Sequence, residues 1–362
     1  MPNKNSVHIN KWLLPLSWLY GMIVFIRNKF FDWGIYKQKK YDIPVISVGN
    51  ITVGGTGKTP HIEYLITLLK NNYKVAVLSR GYKRKSSGFV LADTDSTVSQ
   101  IGDEPYQIKV KYPDILVAVD GDRQHGIETL LALPETERPD VILLDDAFQH
   151  RFVKPSYSIL LTDYNRLMSR DQLLPAGRLR EPVYYSELAN TIIVTKCPRD
   201  VNPLEQRIII KEINPFPYQS LLFTYFDYGN IVPVFSNNKP VLTLGEMRDK
   251  SVLVVTGIAN PGPAYGTIRE FTDRVETMTY PDHYMFKNSD IQKIKSVFDS
   301  MEEEDKLILV TEKDAARLRS MDKLDDDFKS HVYYFPIEVK FVNKEDKKVF
   351  NNIIRDHVAE NS

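Results

Sequence analysis

Residues 54–59 read Gly-Gly-Thr-Gly-Lys-Thr, directly after the apolar, β-branched run IPVISV (43–48) and before a helical pattern from His61 to Leu69. Glycines let backbone N–H groups approach phosphate oxygens, and the N-terminus of a following helix adds positive potential. In such a loop Lys58 can reach the β- and γ-phosphates, while the Thr59 hydroxyl is placed to ligate Mg²⁺. The expected nucleotide-binding stretch is Val53, Gly54, Gly55, Thr56, Gly57, Lys58, Thr59 and Pro60. Against the pattern G-x-x-x-x-G-K-[ST] there is one miss, Thr52 at the first glycine position. A partner site should end a later strand with an acid, and VILLDD (141–146) closes an apolar run with Asp145 and Asp146. Strand ends of a parallel sheet face one crevice. One of these carboxylates would hold Mg²⁺ through its hydration shell, and the other would orient metal or substrate.

A phosphate loop alone does not separate a kinase from a switch or assembly ATPase. The double-glycine loop also resembles that of partitioning-type ATPases, but Val53 stands where their extra lysine belongs. Thr195-Lys196-Cys197-Pro198 echoes the base-reading N-K-x-D of GTPases without its aspartate, so guanine specificity is unsupported. A kinase also needs a carboxylate or histidine near the acceptor hydroxyl, and cations for a charged acceptor. Three clusters offer them: the basic SRGYKRK (79–85), the turn-like Gly102-Asp103-Glu104-Pro105, and Pro281-Asp282-His283-Tyr284, which could close an Asp–His pair across a cleft. Each also has a plainer reading, as a solvated face, a turn and a structural histidine.

These side chains need a scaffold of parallel strands. Strand-like runs recur at Val75–Leu78, Ile115–Val119, Val141–Leu144, Ile159–Leu161 and Thr191–Val194, separated in several places by helix-length stretches. That alternation predicts an α/β fold, a P-loop NTPase-like, mostly parallel sheet with flanking helices. Around 214–240 two aromatic, β-branched runs sit between Pro- and Asn-rich ends and read as a short β linker. A second series follows at Val252–Val255, Val275–Met278, Leu307–Val310 and Val332–Phe335. The expected organisation is a basic segment (1–40), a P-loop domain (41–213), the linker (214–240) and a smaller C-terminal α/β domain (241–362). The acidic Met301–Asp305 stretch reads as solvated surface.

The chain has 362 residues, 43% hydrophobic and 26% charged, which excludes disorder and a multi-pass membrane protein. A single cysteine, Cys197, excludes a disulfide framework and a Cys-based zinc site. The net charge is zero and argues against a nucleic-acid partner, yet it averages two unlike parts. Residues 1–40 hold Lys4, Lys11, Arg27, Lys29, Lys37, Lys39 and Lys40 against one acid, Asp32, together with all three tryptophans, Trp12, Trp18 and Trp33. Within this segment the run from Trp12 to Ile26 is uncharged. As a helix it would be ~22 Å long, short for a bilayer core of ~30 Å. Aromatic and basic flanks suit a monotopic helix dipping into an anionic cytoplasmic leaflet. The same length also fits a buried core helix, and a tilted span with snorkelling flanks.

As a set, the motifs resemble the tetraacyldisaccharide 4′-kinase family of lipid A biosynthesis. The resemblance rests on VGNITVGGTGKTP (48–60), SRGYKRK (79–85), GDEP (102–105), LDDAFQH (144–150), LPAGRLREP (174–182), PDHY (281–284) and TEKDAARL (311–318), in the family's order over most of the chain. Ala147 stands where glycine is commoner, and Thr52 matches the family's own habit. The resemblance implies transfer of the γ-phosphoryl group of ATP to the 4′-hydroxyl of an acylated glucosamine disaccharide 1-phosphate. It implies ATP and Mg²⁺ as cofactors. The expected location is the cytoplasmic face of the inner membrane, held peripherally through the N-terminal segment, and no obligate protein partner is evident from the sequence. Carried onto this sequence, Lys58 and Thr59 hold ATP and Mg²⁺, and Asp145 and Asp146 complete the metal site. Asp103 becomes the base on the hydroxyl, with His283 as its partner. Tyr82, Arg123, His150, Arg178, Arg180 and Glu181 are expected around the phosphates or the disaccharide. The second domain is expected to close over ATP and exclude water. The alternative is a membrane-associated P-loop switch or assembly ATPase.

Overall fold

The computed structural model describes residues 9–235, 239–258, 261–303, 305–321 and 323–361. Lys4 of the basic segment, the 236–238 part of the linker and Glu304 of the acidic stretch lie outside the described residues. The chain begins with helix α1 (Leu14–Asp32), β1 (Val45–Gly49), α2 (Lys58–Leu69), β2 (Val75–Ser79) and β3 (Val90–Leu91). It continues through α3 (Val98–Ile101), α4 (Asp103–Lys111), β4 (Leu116–Val119), α5 (Arg123–Leu131) and β5 (Val141–Asp145). Then come β6 (Tyr157–Asp163), β7 (Thr191–Thr195), α6 (Pro203–Ile213) and β8 (Ser220–Tyr228). A second series holds β9 (Val232–Pro233), β10 (Ser251–Thr256), α7 (Gly262–Arg269), β11 (Val275–Thr279), α8 (Asn288–Ser300) and β12 (Lys306–Thr311). It ends with α9 (Glu312–Arg319), α10 (Asp326–His331), β13 (Val332–Phe335), β14 (Ile337–Phe341) and α11 (Lys344–Asn361).

The larger sheet has the order β14-β8-β7-β6-β1-β5-β2-β4-β3, parallel from β8 to β4 with an antiparallel strand at each edge. β1, β2, β5 and β7 are buried along their whole length, which is why they read as continuous apolar runs rather than alternating ones. α2, α4 and α11 cover one face through Ile62, Leu65, Ile108, Phe350 and Ile354, and α5 covers the other through Ile127 and Leu130. The chain leaves β1 toward β2 on one side and later places β6 on the other. The loop after β1 therefore sits at the topological switch point, where the strand order opens a crevice. The smaller sheet, β11-β10-β12-β13-β9, is parallel except at β9.

The fold is thus mixed α/β, with a large, mostly parallel sheet flanked by helices. The structure departs from the sequence reading at the linker. β8 pairs in parallel with β7, and β14 and α11 return to the first sheet, so the 214–240 and 241–362 segments both contribute to the larger unit. Burying β8's Leu222 and Phe223 beside β7 supplies the reason.

Helix α1 is amphipathic in an unusual sense. Its inner face carries Ser17, Val24, Asn28 and Phe31, all buried. Its outer face leaves Trp18 73% exposed, with Leu16, Leu19, Met22, Ile23 and Ile26 exposed beside it, and Trp12 just before it 93% exposed. No helix among the described residues is long and apolar enough to cross a membrane.

Candidate active site

The loop after β1 ends at Gly57, whose φ of +88° caps the N-terminus of α2. The Phe226 ring packs where a Cβ on Gly57 would lie, so the position needs glycine for conformation and for space. Flanking strands brace the loop. Thr195 Oγ1 donates to Thr56 O at 2.8 Å, and Lys196 Nζ donates to Gly55 O while pairing with Asp163 at 2.7 Å. Asn50 Nδ2 donates to Thr56 Oγ1 at 2.7 Å, and Val53 N donates to Arg178 O at 2.7 Å.

Lys58 begins α2, and its Nζ lies 3.6 Å from Asp146 Oδ2. Arg180 holds the other oxygen of Asp146 at 2.9 Å and donates to Asn50 Oδ1 at 2.5 Å. Burial pushes the Asp146 carboxyl up, but the charges of Lys58 and Arg180 outweigh it and hold the group below its usual range. Asp145, at the end of β5, is 1% exposed. Its Oδ2 accepts from Ser79 Oγ at 3.3 Å, and its Oδ1 is buried with no hydrogen-bond partner. Burial, with the neighbouring charges of Glu104 and Asp146, pushes this carboxyl up to about 7.

An orphaned carboxylate oxygen beside a phosphate loop fits a hard divalent cation, which takes oxygen ligands. Among the described residues no cluster of three or more His, Cys, Asp or Glu side chains is placed to hold a metal alone. Mg²⁺ commonly draws several of its ligands from nucleotide phosphates and water. The donor set Thr59 and Asp145 fits that ion. Asp146 is engaged instead with Lys58 and Arg180.

Asp103 opens α4 and is 8% exposed. Its Oδ1 accepts Glu104 N–H at 3.1 Å, and its Oδ2 accepts from His283 Nδ1 at 2.9 Å and from Arg317 Nη2 at 2.8 Å. Burial would raise the carboxyl. The hydrogen bonds from His283 and Arg317, with the charges of Arg317 and Lys313, outweigh burial and hold it well below the usual carboxylate range. An ionised carboxylate only accepts, so Nδ1 carries the proton, and in the neutral ring Nε2 is the accepting nitrogen. His283 has φ +59° and Tyr82 packs edge-on against its ring at 5.7 Å. The two sequence clusters containing Asp103 and His283, far apart in the chain, meet in space.

The six residues expected around the acceptor divide. Tyr82 and Arg178 are exposed at the site's rim, and Arg180 faces Asp146. His150 is half-buried with an unpartnered Nε2, and burial lowers its pKa. Arg123 is 2% exposed, donates to Asp120 O and reaches Asp145 O at 3.5 Å. It braces the strand ends from within, and burial pushes its guanidinium down to about 10. Glu181 is 4% exposed and accepts from Asn28 Nδ2 at 2.7 Å and Arg27 Nη1 at 3.3 Å. These two side chains satisfy other protein groups rather than opening toward an acceptor. Sequence reasoning missed Asn50, Lys196, Phe226 and Arg317. For Lys196 a signal existed, since the TKCP echo stands at the end of a strand beside the loop.

A glycine loop at a switch point, a lysine–carboxylate pair and an Asp–His pair define the class: a P-loop phosphotransferase. The family described as tetraacyldisaccharide-1-P 4′-kinase matches residues 9–359. The tetraacyldisaccharide 4′-kinase of Phocaeicola vulgatus is 51% identical over 99% of this chain and 98% of its own length. That of Parabacteroides distasonis is 52% identical over 99% and 97%. The solved structure of LpxK from Aquifex aeolicus, in complex with ATP, has a TM-score of 0.75 at 29% identity, covering 96% of this chain and 99% of that one. The chain belongs to the tetraacyldisaccharide-1-P 4′-kinase family. Membership sets aside the switch or assembly ATPase reading.

Proposed function

We infer that the protein is an ATP-dependent kinase that transfers the γ-phosphoryl group to the 4′-hydroxyl of a tetraacyldisaccharide 1-phosphate, a step of lipid A biosynthesis. Family membership supports the reaction. The observation that carries the residue roles is the Asp103–His283 pair lying in the same molecule as a braced phosphate loop.

We propose that the stretch from Val53 to Pro60, through the N–H groups of residues 54–59 and the Lys58 ammonium, cradles the ATP phosphates. Thr59 and Asp145 would hold Mg²⁺, which when bound supplies charge neutralisation across the β- and γ-phosphates. Asp146 and Arg180 keep Lys58 oriented. Asp103 Oδ1 accepts one backbone N–H and retains a lone pair for the acceptor hydroxyl. The Asp103–His283 pair receives the hydroxyl proton as the new O–P bond forms and the bond from the γ-phosphorus to the β-phosphate oxygen breaks, its electron pair leaving with ADP. Phosphoryl transfer rests chiefly on positioning and charge neutralisation, so the cations should outweigh the base. The smaller sheet, which carries His283, closes over ATP in this reading and excludes water.

We also propose that the apolar outer face of α1 lies in the cytoplasmic leaflet of the inner membrane, with basic residues at headgroup level. Its fifteen-residue uncharged run then serves to bring the site to an acceptor that stays in the bilayer. The test is transfer itself. Purified full-length chain with Mg²⁺ and γ-labelled ATP is given tetraacyldisaccharide 1-phosphate in mixed micelles. Label should appear on a lipid carrying two phosphates. Label released only as inorganic phosphate would sink the reading.

A further inference from the structure

Arg317 is 1% exposed, among the largest wholly buried side chains of the protein. It lies on α9, which packs against α4. The two terminal nitrogens of its guanidinium bond to three acceptors from separate parts of the chain, while its Nε is buried without a partner. Nη2 donates to Asp103 Oδ2 at 2.8 Å, and Nη1 donates to Asp314 Oδ1 at 2.7 Å and to Gly257 O at 3.0 Å. Each of these acceptors is itself held. Asp314 is fully buried and accepts Gly257 N–H at 2.9 Å and Thr311 Oγ1 at 2.7 Å. Gly257 O also accepts the backbone N–H of His283 at 3.2 Å. A Cβ on Gly257 would lie 3.0 Å from Asp314 Oδ1, so the backbone has to approach the carboxylate this closely.

One carbonyl therefore keys both Arg317 and His283, and both side chains end on the same oxygen of Asp103. Beside them, Lys313, one turn earlier on α9, pairs with Glu104 at 2.5 Å. Two cations of one helix face thus clamp the two consecutive carboxylates that open α4. A buried guanidinium needs such a partner set, but the set did not have to include a carboxylate proposed to meet the acceptor hydroxyl. A planar fork reaching three acceptors also constrains orientation in a way that an ammonium cannot.

We propose that Arg317 is a positioning residue for phosphoryl transfer, locking the Asp103 carboxylate against His283 so that Oδ1, which accepts one backbone N–H and keeps a lone pair, faces the acceptor hydroxyl. This rests on the reading of the reaction given above. The charged and titratable groups facing Asp103 are His283, Arg317, Lys313 and Glu104. Of these, Arg317 is the fully buried cation in direct contact with it.

The test compares full-length parent, Arg317→Gln and Arg317→Lys. It measures kcat, KM for ATP and for the lipid acceptor, affinity for a fluorescent ATP analogue, and the pH profile of kcat/KM. For Arg317→Gln we expect kcat to fall on the order of 10²-fold, with nucleotide affinity kept within about threefold. The acidic limb of its profile should move up by ~1–3 pH units, because Asp103 loses a cationic neighbour. Arg317→Lys keeps the charge and loses the fork, so kcat should fall by about tenfold while the acidic limb stays near the parent's. An acidic limb unmoved in Arg317→Gln, or nucleotide affinity lost in step with kcat, would overturn the proposal. Should Arg317→Gln fail to fold, Arg317→Lys decides, and parental kcat in that variant overturns it. A parent that does not phosphorylate the lipid sinks the reading of the reaction instead, which keeps the two failures apart.

Discussion

Lys58 Nζ lies 3.6 Å from Oδ2 of Asp146, so the lysine of the phosphate loop and the carboxylate following the neighbouring strand already form an ion pair. Asp146 adopts φ +48° to make it, and Arg180 holds its other oxygen. In the function proposed above, this pair orients the ammonium before any phosphate arrives.

Turnover should accordingly depend more on Lys58 than on the base. Lys58→Ala is expected to lose more kcat than Asp103→Ala, whose loss should fall in the general-base range of about 10²–10⁴-fold. Steady-state kinetics of the two purified variants decide this, and the reverse order would give Asp103 the larger share.

Gly57→Ala should weaken nucleotide binding. A left-handed residue with a side chain costs ~1–2 kcal/mol, and the new methyl would meet the Phe226 ring. At 1.4 kcal/mol per decade this is about a tenfold loss of affinity or more. Titration with a fluorescent ATP analogue reads it, and parental affinity would show that the loop can rearrange freely.

Glu181 gives a prediction opposite to its expected place beside the acceptor. Glu181→Ala strips a buried acceptor from Asn28, which is itself fully buried, so the fold should lose about 1–3 kcal/mol. The loss should concentrate at α1, seen as faster proteolysis there and a lower thermal midpoint. A variant with full protection of α1 and a raised KM for the lipid would restore the acceptor role.

One ammonium faces two carboxylates between α2, α4 and α9. Lys111 Nζ lies 2.5 Å from Glu63 and 2.7 Å from Glu312. Burial, aided by the Glu312 charge, pushes Glu63 up to about 7 despite Lys111. A carboxyl whose folded pKa lies above its unfolded value of ~4.3 stabilises the fold fully below that value. The contribution disappears as pH rises through about 7. Thermal midpoints should therefore fall between about pH 5 and pH 8, and Glu63→Gln should flatten the fall. Equal slopes for parent and variant would exclude Glu63 as the source.

The outer face of α1 is open to direct test. Trp18→Ser with Ile23→Asn removes two exposed apolar side chains without touching the inner face. At ~1.5–3 kcal/mol each, their loss should reduce partition onto anionic vesicles by 10²-fold or more. Sedimentation with such vesicles measures it, and unchanged binding would remove α1 from the membrane contact.

The strands of the larger sheet were legible because a strand buried on both faces reads as an unbroken β-branched run, as at 75–78 and 141–144. The phosphate loop was legible because glycine spacing is a local property. β8 was not, since its aromatic run looks like a linker until β7 and β14 are seen to flank it. Arg317 lay inside a quoted motif, yet its contact with Asp103 joins residues 214 apart, a pairing that no local pattern encodes. Arg123 and Glu181 were placed near the acceptor by the resemblance alone, and their burial and internal partners lie in contacts that no local pattern encodes.

The segment from Leu173 to Glu181 bonds to two things at once. On one side it receives α1, through Ser17 Oγ to Leu173 O at 2.9 Å and Tyr20 OH to Arg180 O at 2.9 Å. On the other it pairs with the phosphate loop at Thr52, Val53 and Asn50. With α1 seated in the leaflet as proposed, this short stretch becomes a ruler: the depth of the helix sets the height of the phosphate loop above the lipid. An acceptor whose headgroup stands at another height would be out of reach, whatever its chemistry.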